Sequence, residues 1–193
     1  MITQSLLDSA YTYASYRALI DGLVAEGKTT GPIQNENMLD YTKMNVHRMH
    51  RLDTTFNFIP ELEAALTNAK PQTWLVITEA WCGDAANIVP VFNQVELANP
   101  AIKVRYILRD EHLDVMDQYL TNGGRSIPKL VVLDADGKEI GSWGPRPSEA
   151  QALMDDWKAQ DMPYKEKAEK LQLWYARNRT VAIQTELAVL ISG

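Results

Sequence analysis

The chain is short of cysteine: 193 residues contain one, Cys82. A single thiol excludes any intrachain disulfide, and with it both a disulfide framework and a cysteine-rich zinc site. Histidine is nearly as scarce. Of the three in the chain, only His47 and His50 share a helical face, and no carboxylate or cysteine stands at matching spacing, so no metal is expected. Long apolar runs are missing too. The N-terminus carries no basic residue before Arg17, so neither a secretory signal nor a membrane anchor is expected, and a reducing, cytoplasmic setting follows. Positive charge is in deficit, with 19 Lys and Arg against 25 Asp and Glu and a formal net charge of −6. Nucleic-acid binders normally show a basic stripe, so neither nucleic acid nor an anionic membrane is an expected partner. No Gly-rich phosphate loop, nucleotide fingerprint or Ser-His-Asp arrangement occurs, and no cofactor is expected.

What is there suits a globular protein. With 46% hydrophobic residues the chain can bury a sizeable core, and its length fits one domain with decorations. Helical spacing of Leu6, Leu7, Ala10, Tyr13, Ala14 and Leu19 predicts one helix over 1–27, with Gly27 as its C-cap. Further helices are expected over 38–52 and 61–69. An apolar run at 73–78 reads as a strand covered on both faces. Residues 84–98 return to helical spacing with Pro90 inside, and 102–108 read as a second strand, so a parallel βαβ unit is expected. A helix over 111–121 follows, with Leu113, Met116 and Leu120 inward. The apolar strand 129–133, the turn at Asp134–Lys138 and the strand 139–143 make an edge hairpin. Ser148 is placed to cap the next helix. A last helical stretch covers 163–192, and its apolar end at 187–191 either docks on the domain or buries against a second copy in a homodimer.

The chemistry concentrates at Trp81-Cys82-Gly83-Asp84, where the first strand meets a helix. Unpaired amides and the dipole at a helix start favour a thiolate, while the Asp84 charge opposes it, so the sign of the net shift stays open.

Four features in order carry a resemblance to the thioredoxin family. They are the apolar strand ending in Trp81-Cys82-Gly83, Pro90 eight residues beyond the cysteine, Ile127-Pro128 before a strand, and the closing hairpin and helix over 129–160. The Trp-Cys-Gly-Asp form with helical additions resembles a bacterial branch of that family. The resemblance implies an α/β/α sandwich with a central mixed sheet. Its core covers about 70–160, with an N-terminal helical extension over 1–69 and a C-terminal one over 161–193, all in a single domain of residues 1–193. It also implies Cys82 as nucleophile, a cis Pro128, and a substrate surface formed by Trp81, Gly83, Asp84, Ile127 and Pro128.

Two departures limit the analogy. The family's second cysteine is Ala85 here, and the strand carboxylate of many members is Val76. These losses agree, because that carboxylate serves the second thiol and without it would be a buried charge with no use. A lone thiol can form a mixed disulfide with a protein thiol or glutathione, but release needs an external thiol. Two readings stay open: monothiol exchange, and a redox-inactive interaction module. Arg125 is a candidate to approach the thiol, Glu79 to affect its protonation, and the basic His47–Arg51 segment to face an acidic partner or Asp84.

Overall fold

The computed structural model describes residues 2–192. Four strands form the sheet: β1 (Gln72–Thr78), β2 (Ile102–Leu108), β3 (Lys129–Leu133) and β4 (Glu139–Trp143). The helices around it are α1 (Gln4–Ser9), α2 (Tyr13–Ala25), α3 (Glu36–Thr55), α4 (Pro60–Thr67), α5 (Ala85–Ala98), α6 (Leu113–Met116), α7 (Ser148–Ala159), α8 (Tyr164–Asn178) and α9 (Val181–Ser192). Strand order is β2-β1-β3-β4, with β1 parallel to β2 and the β1–β3 and β3–β4 pairs antiparallel. The expected mixed α/β architecture with flanking helices is present.

β1 is the centre because its side chains suit burial on both faces. Residues 74–78 are all buried, with Trp74 opposite Val104 on one side and Val132 on the other. The ring of Phe92 on α5 packs edge-on against both Trp74 and Trp143, at 5.8 and 5.9 Å between centroids. Pro90 lies inside α5, where it lacks the N–H that would reach the Ala86 carbonyl.

Three expected helices differ from those observed. The helix over 1–27 is broken at 10–12, because Tyr11 pairs with Tyr106 through two 2.8 Å backbone hydrogen bonds and shields the free edge of β2. Thr12 then restarts the helix with a capping box to Ser15. The stretch 163–192 is divided by Arg179 and Thr180, both at positive φ. Between 111 and 121 only 113–116 is helical, and Val115 and Met116 supply the burial while Leu113 and Leu120 stay exposed. Ser148 does not cap α7 with its side chain. Its N–H and hydroxyl instead donate to Glu186 of α9, at 2.7 and 2.5 Å.

The apolar end of the chain docks internally. α9 packs on α4 and α5, burying Leu187 and Ile191. Its Gln184 is fully buried, accepts from the Ile59 N–H at 2.9 Å and donates to the Asn57 carbonyl at 3.0 Å.

Two glycines at positive φ predict different costs. A Cβ on Gly144 (φ 107°) would collide with the Pro128 carbonyl oxygen, whereas one on Gly137 (φ 78°) would meet open space. Gly137→Ala should therefore cost about 1–2 kcal/mol, the conformational term alone. Gly144→Ala should cost distinctly more, on the order of 3 kcal/mol or above. Urea unfolding of the two variants checks this ordering, and equal losses would refute the close approach at Gly144.

Candidate functional site

β1 leaves the sheet at Thr78, and the chain turns through Glu79–Asp84 into α5. The Cys82 N–H donates to the Glu79 carbonyl at 3.2 Å, and the Cys82 carbonyl already accepts from Ala86, so the sulfur sits at the first turn of the helix. The Ile127–Pro128 peptide bond is cis and lies against it. The thiol donates to the Ile127 carbonyl at 3.3 Å and accepts from the Ala85 N–H at 3.5 Å.

The sulfur is not open to solvent; Cys82 is 8% exposed. Burial is the largest influence on its ionisation and the Asp84 charge adds to it, against weaker opposing help from the Ala85 and Asp84 amides and Arg146. The thiol pKa is pushed up to about 12. The helix start does favour a thiolate here, but desolvation outweighs it.

The turn is covered by α3 and α8. Gln172 of α8 and Arg48 of α3 meet over Gly83, so that a Cβ there would lie 3.0 Å from Gln172 Nε2 and 3.9 Å from Arg48 Nη1. Asn87 donates to both the Gly83 carbonyl and Gln172 Oε1, at 2.8 and 2.9 Å. Asn45 of α3, fully buried, donates to the Ala80 carbonyl at 2.8 Å. On the other flank, Trp81 is half-buried beneath the Arg109 guanidinium, 4.8 Å from the ring centre.

The Asp84 side chain does not cap α5. The residue has helical φ and ψ of its own, and its carboxylate turns sideways. Oδ2 accepts from Arg146 Nη2 at 2.6 Å, and Oδ1 accepts from the Tyr175 hydroxyl at 2.7 Å. Burial and the Asp84 charge raise the Tyr175 pKa and keep it a donor. One carboxylate thus ties the β4–α7 loop and α8 to the cysteine turn.

The remaining sequence candidates fall as follows. Arg125 does not serve the thiol; it is exposed and forms a fork to Asp117 at 2.6 and 2.8 Å. Glu79 is fully buried, not solvent-facing. Its Oε1 accepts from the Asp110 N–H at 2.9 Å, and burial raises its pKa against hydrogen bonds from Thr30 and that amide. Val76 is fully buried among apolar neighbours. His47 and His50 are exposed, and no metal-binding cluster occurs among the described residues. Asp134 closes its turn by accepting from the Asp136 and Lys138 amides. Sequence reading missed Asn45, Asn87, Gln172, Tyr175 and Arg146. Only Arg146, held between Pro145 and Pro147 at the end of the hairpin, had a local signal.

A family model described as Thioredoxin matches residues 31–158. The chain belongs to the thioredoxin family. The match begins well before β1, so it takes in α3 as well as the sheet. Among solved structures, a protein of unknown function from Pseudomonas aeruginosa is similar at a TM-score of 0.58 and 19% identity, over 97% of this chain and 99% of that one. An HIV epitope scaffold is similar at 0.53 and 17% identity, over 93% and 98%. At these identities the likeness is one of fold. No curated protein matches. Among the described residues, no helix is long and apolar enough to cross a membrane.

Asp84→Ala should destabilise the protein by about 3–5 kcal/mol, because it strands a sheltered guanidinium. Tyr175→Phe removes one charge-assisted hydrogen bond and should cost about 1.5–3 kcal/mol. Urea unfolding measures both, and an Asp84→Ala loss below that of Tyr175→Phe would contradict the clamp.

Proposed function

We propose that this protein is a redox-silent member of the thioredoxin family that works as a protein-interaction module, with Cys82 a sheltered, protonated thiol. The burial of the sulfur carries this reading. Thiol–disulfide exchange runs through the thiolate. With the pKa pushed up to about 12, the thiolate fraction at neutral pH is on the order of one in 10⁵. The Ile127 carbonyl, which the family would offer to an extended peptide, is occupied by the thiol itself. Ala85 in place of a resolving cysteine and Val76 in place of a carboxylate fit the same reading, as does the single-domain organisation in which both helical extensions close over the turn.

The second reading is monothiol exchange with a protein disulfide or glutathione in the reducing cytoplasm. The cis Ile127–Pro128 bond beside the sulfur favours it. It requires α8 to move away from Gly83 and Asp84 so that Cys82 is uncovered.

Alkylation of Cys82 by iodoacetamide at pH 7 separates the two. The folded protein should react about three orders of magnitude more slowly than the urea-unfolded chain, whose thiol has the ordinary pKa of about 8.5. A comparable rate, or a glutathione adduct formed in the folded state, would sink the silent-module reading.

Stability against pH gives an independent check. The folded thiol holds its proton more tightly than the unfolded one, so its contribution is fully present below pH 9 and falls as pH rises from 9 toward about 12. Wild type should lose stability relative to Cys82→Ser across that window, and a constant difference between them would contradict the raised pKa.

A further inference from the structure

We infer that the stripe Tyr41, Met44, Arg48 and Arg51 on α3, with Tyr164 at the head of α8, is the docking surface for an acidic, extended segment of a partner protein. This rests on the interaction-module reading and names where and what that module binds. The spacing 41, 44, 48, 51 puts the four side chains along one side of α3, next to the buried row of Thr42, Asn45, Met49 and Leu52.

Arg48 is the centre of the argument. The other sheltered arginines each have a carboxylate: Arg17 with Asp53, Arg105 with Glu96, Arg109 with Asp110 and Arg146 with Asp84. Among the described residues neither Arg48 nor Arg51 forms an ion pair. Arg48 is half-buried and donates only to the neutral Asn45 Oδ1, at 2.7 Å. Burial, and then the charge of Arg51, pull its pKa down, as expected for a cation without a counter-charge. In a chain of net charge −6, two uncompensated guanidiniums one helical turn apart are a local reversal of sign. Arg48 borders the cysteine turn, its Nη1 3.9 Å from where a Gly83 Cβ would sit.

The rest of the surface sets the chemistry of the occupant. Tyr41 is 40% exposed, Met44 43% and Tyr164 72%. Tyr164 opens α8, the helix whose Gln172 and Tyr175 reach the same turn, and burial, then the charge of Tyr41, raises its pKa. Three exposed apolar or amphipathic side chains beside two guanidinium forks suit an extended peptide whose same-side positions run from carboxylates to apolar residues. In an extended segment the carboxylates at i and i+2 lie on one side about 6.6 Å apart, within reach of Arg48 and Arg51. Two cations in an acidic protein are too few for a nucleic-acid backbone.

The test is fluorescence anisotropy on the full chain with a labelled nine-residue peptide carrying Glu at positions 2 and 4 and Leu and Tyr at positions 6 and 8, so that all four share one side. The same peptide with Lys for Glu, and a single-stranded oligonucleotide of matching charge, serve as comparisons. The acidic peptide should bind at least about tenfold tighter than the Lys version and weaken with salt. Arg48→Ala and Arg51→Ala should each reduce its affinity about fivefold or more, and the double charge reversal to Glu should abolish binding. Arg51→Ala should leave the urea midpoint unchanged, while Arg48→Ala frees the buried Asn45 oxygen, so its binding is read in the absence of urea on protein with native circular dichroism. Failure of the acidic peptide to bind, binding indifferent to these variants, or an oligonucleotide bound as tightly and lost in the same variants would overturn the inference. Cys82→Ser keeps the two readings apart. Retained binding supports both. Binding lost in Cys82→Ser but also dependent on Arg48 leaves the surface standing and removes the redox-silent reading.

Discussion

The arrangement around Cys82 depends on how one buried carboxylate is satisfied. Asp84 sits directly after the Cys-Gly pair, where it would naturally face the open end of a helix. Withdrawn from water, it needs strong donors, and it receives them from Arg146 and from Tyr175. Those partners lie 62 and 91 residues further along the chain. Holding them brings the loop after β4 and the whole of α8 onto the turn. Gln172, one helical turn before Tyr175, then closes over Gly83. The sulfur is enclosed as a result, and the enclosure raises its pKa more than the helix start lowers it. Packing and acidity are therefore one property here: whatever loosens the Asp84 clamp also rehydrates the thiol.

The fold was largely legible because its signals are local. β1 announces itself as an apolar run, the hairpin as two strands about an Asp-Ala-Asp-Gly turn, and the cysteine turn as a strand-to-helix junction. The helix breaks were less visible for a physical reason. Tyr11 leaves the helical path to bond with Tyr106, a partner 95 residues away, and nothing in the spacing of Leu6, Ala10 and Tyr13 records that. Arg179 and Thr180 adopt positive φ without a glycine to mark it. At the site, residue types pointed to Cys82, Trp81 and Pro128, since each belongs to a local motif. The roles of Asp84 and Arg146 were hidden because they are defined by each other. Arg125 was the natural arginine to suspect from its place before Ser126-Ile127-Pro128, yet Asp117 is nearer and takes it.

The helices outside the sheet are thus more than padding. α3 supplies Asn45 to the turn and Arg48 to its rim, α8 supplies Gln172 and Tyr175, and α9 holds Ser148 through Glu186 and the segment before α4 through Gln184. The family match reaching back to residue 31 is consistent with α3 being integral to the unit. Ala85, where the resemblance would place a second cysteine, leaves the turn intact and excludes a disulfide within it.

The Gln184 side chain also constrains the order in which the molecule can be completed during synthesis. It satisfies backbone groups of Asn57 and Ile59, residues translated more than 120 positions earlier. Until the segment 181–192 has cleared the ribosome, the hinge before α4 has two peptide groups without their partners and α4 has no covering helix. The nascent chain can form its central sheet early, but α4 is covered only after α9 arrives. A nascent chain stalled within α8 would present the apolar side of α4 to its surroundings.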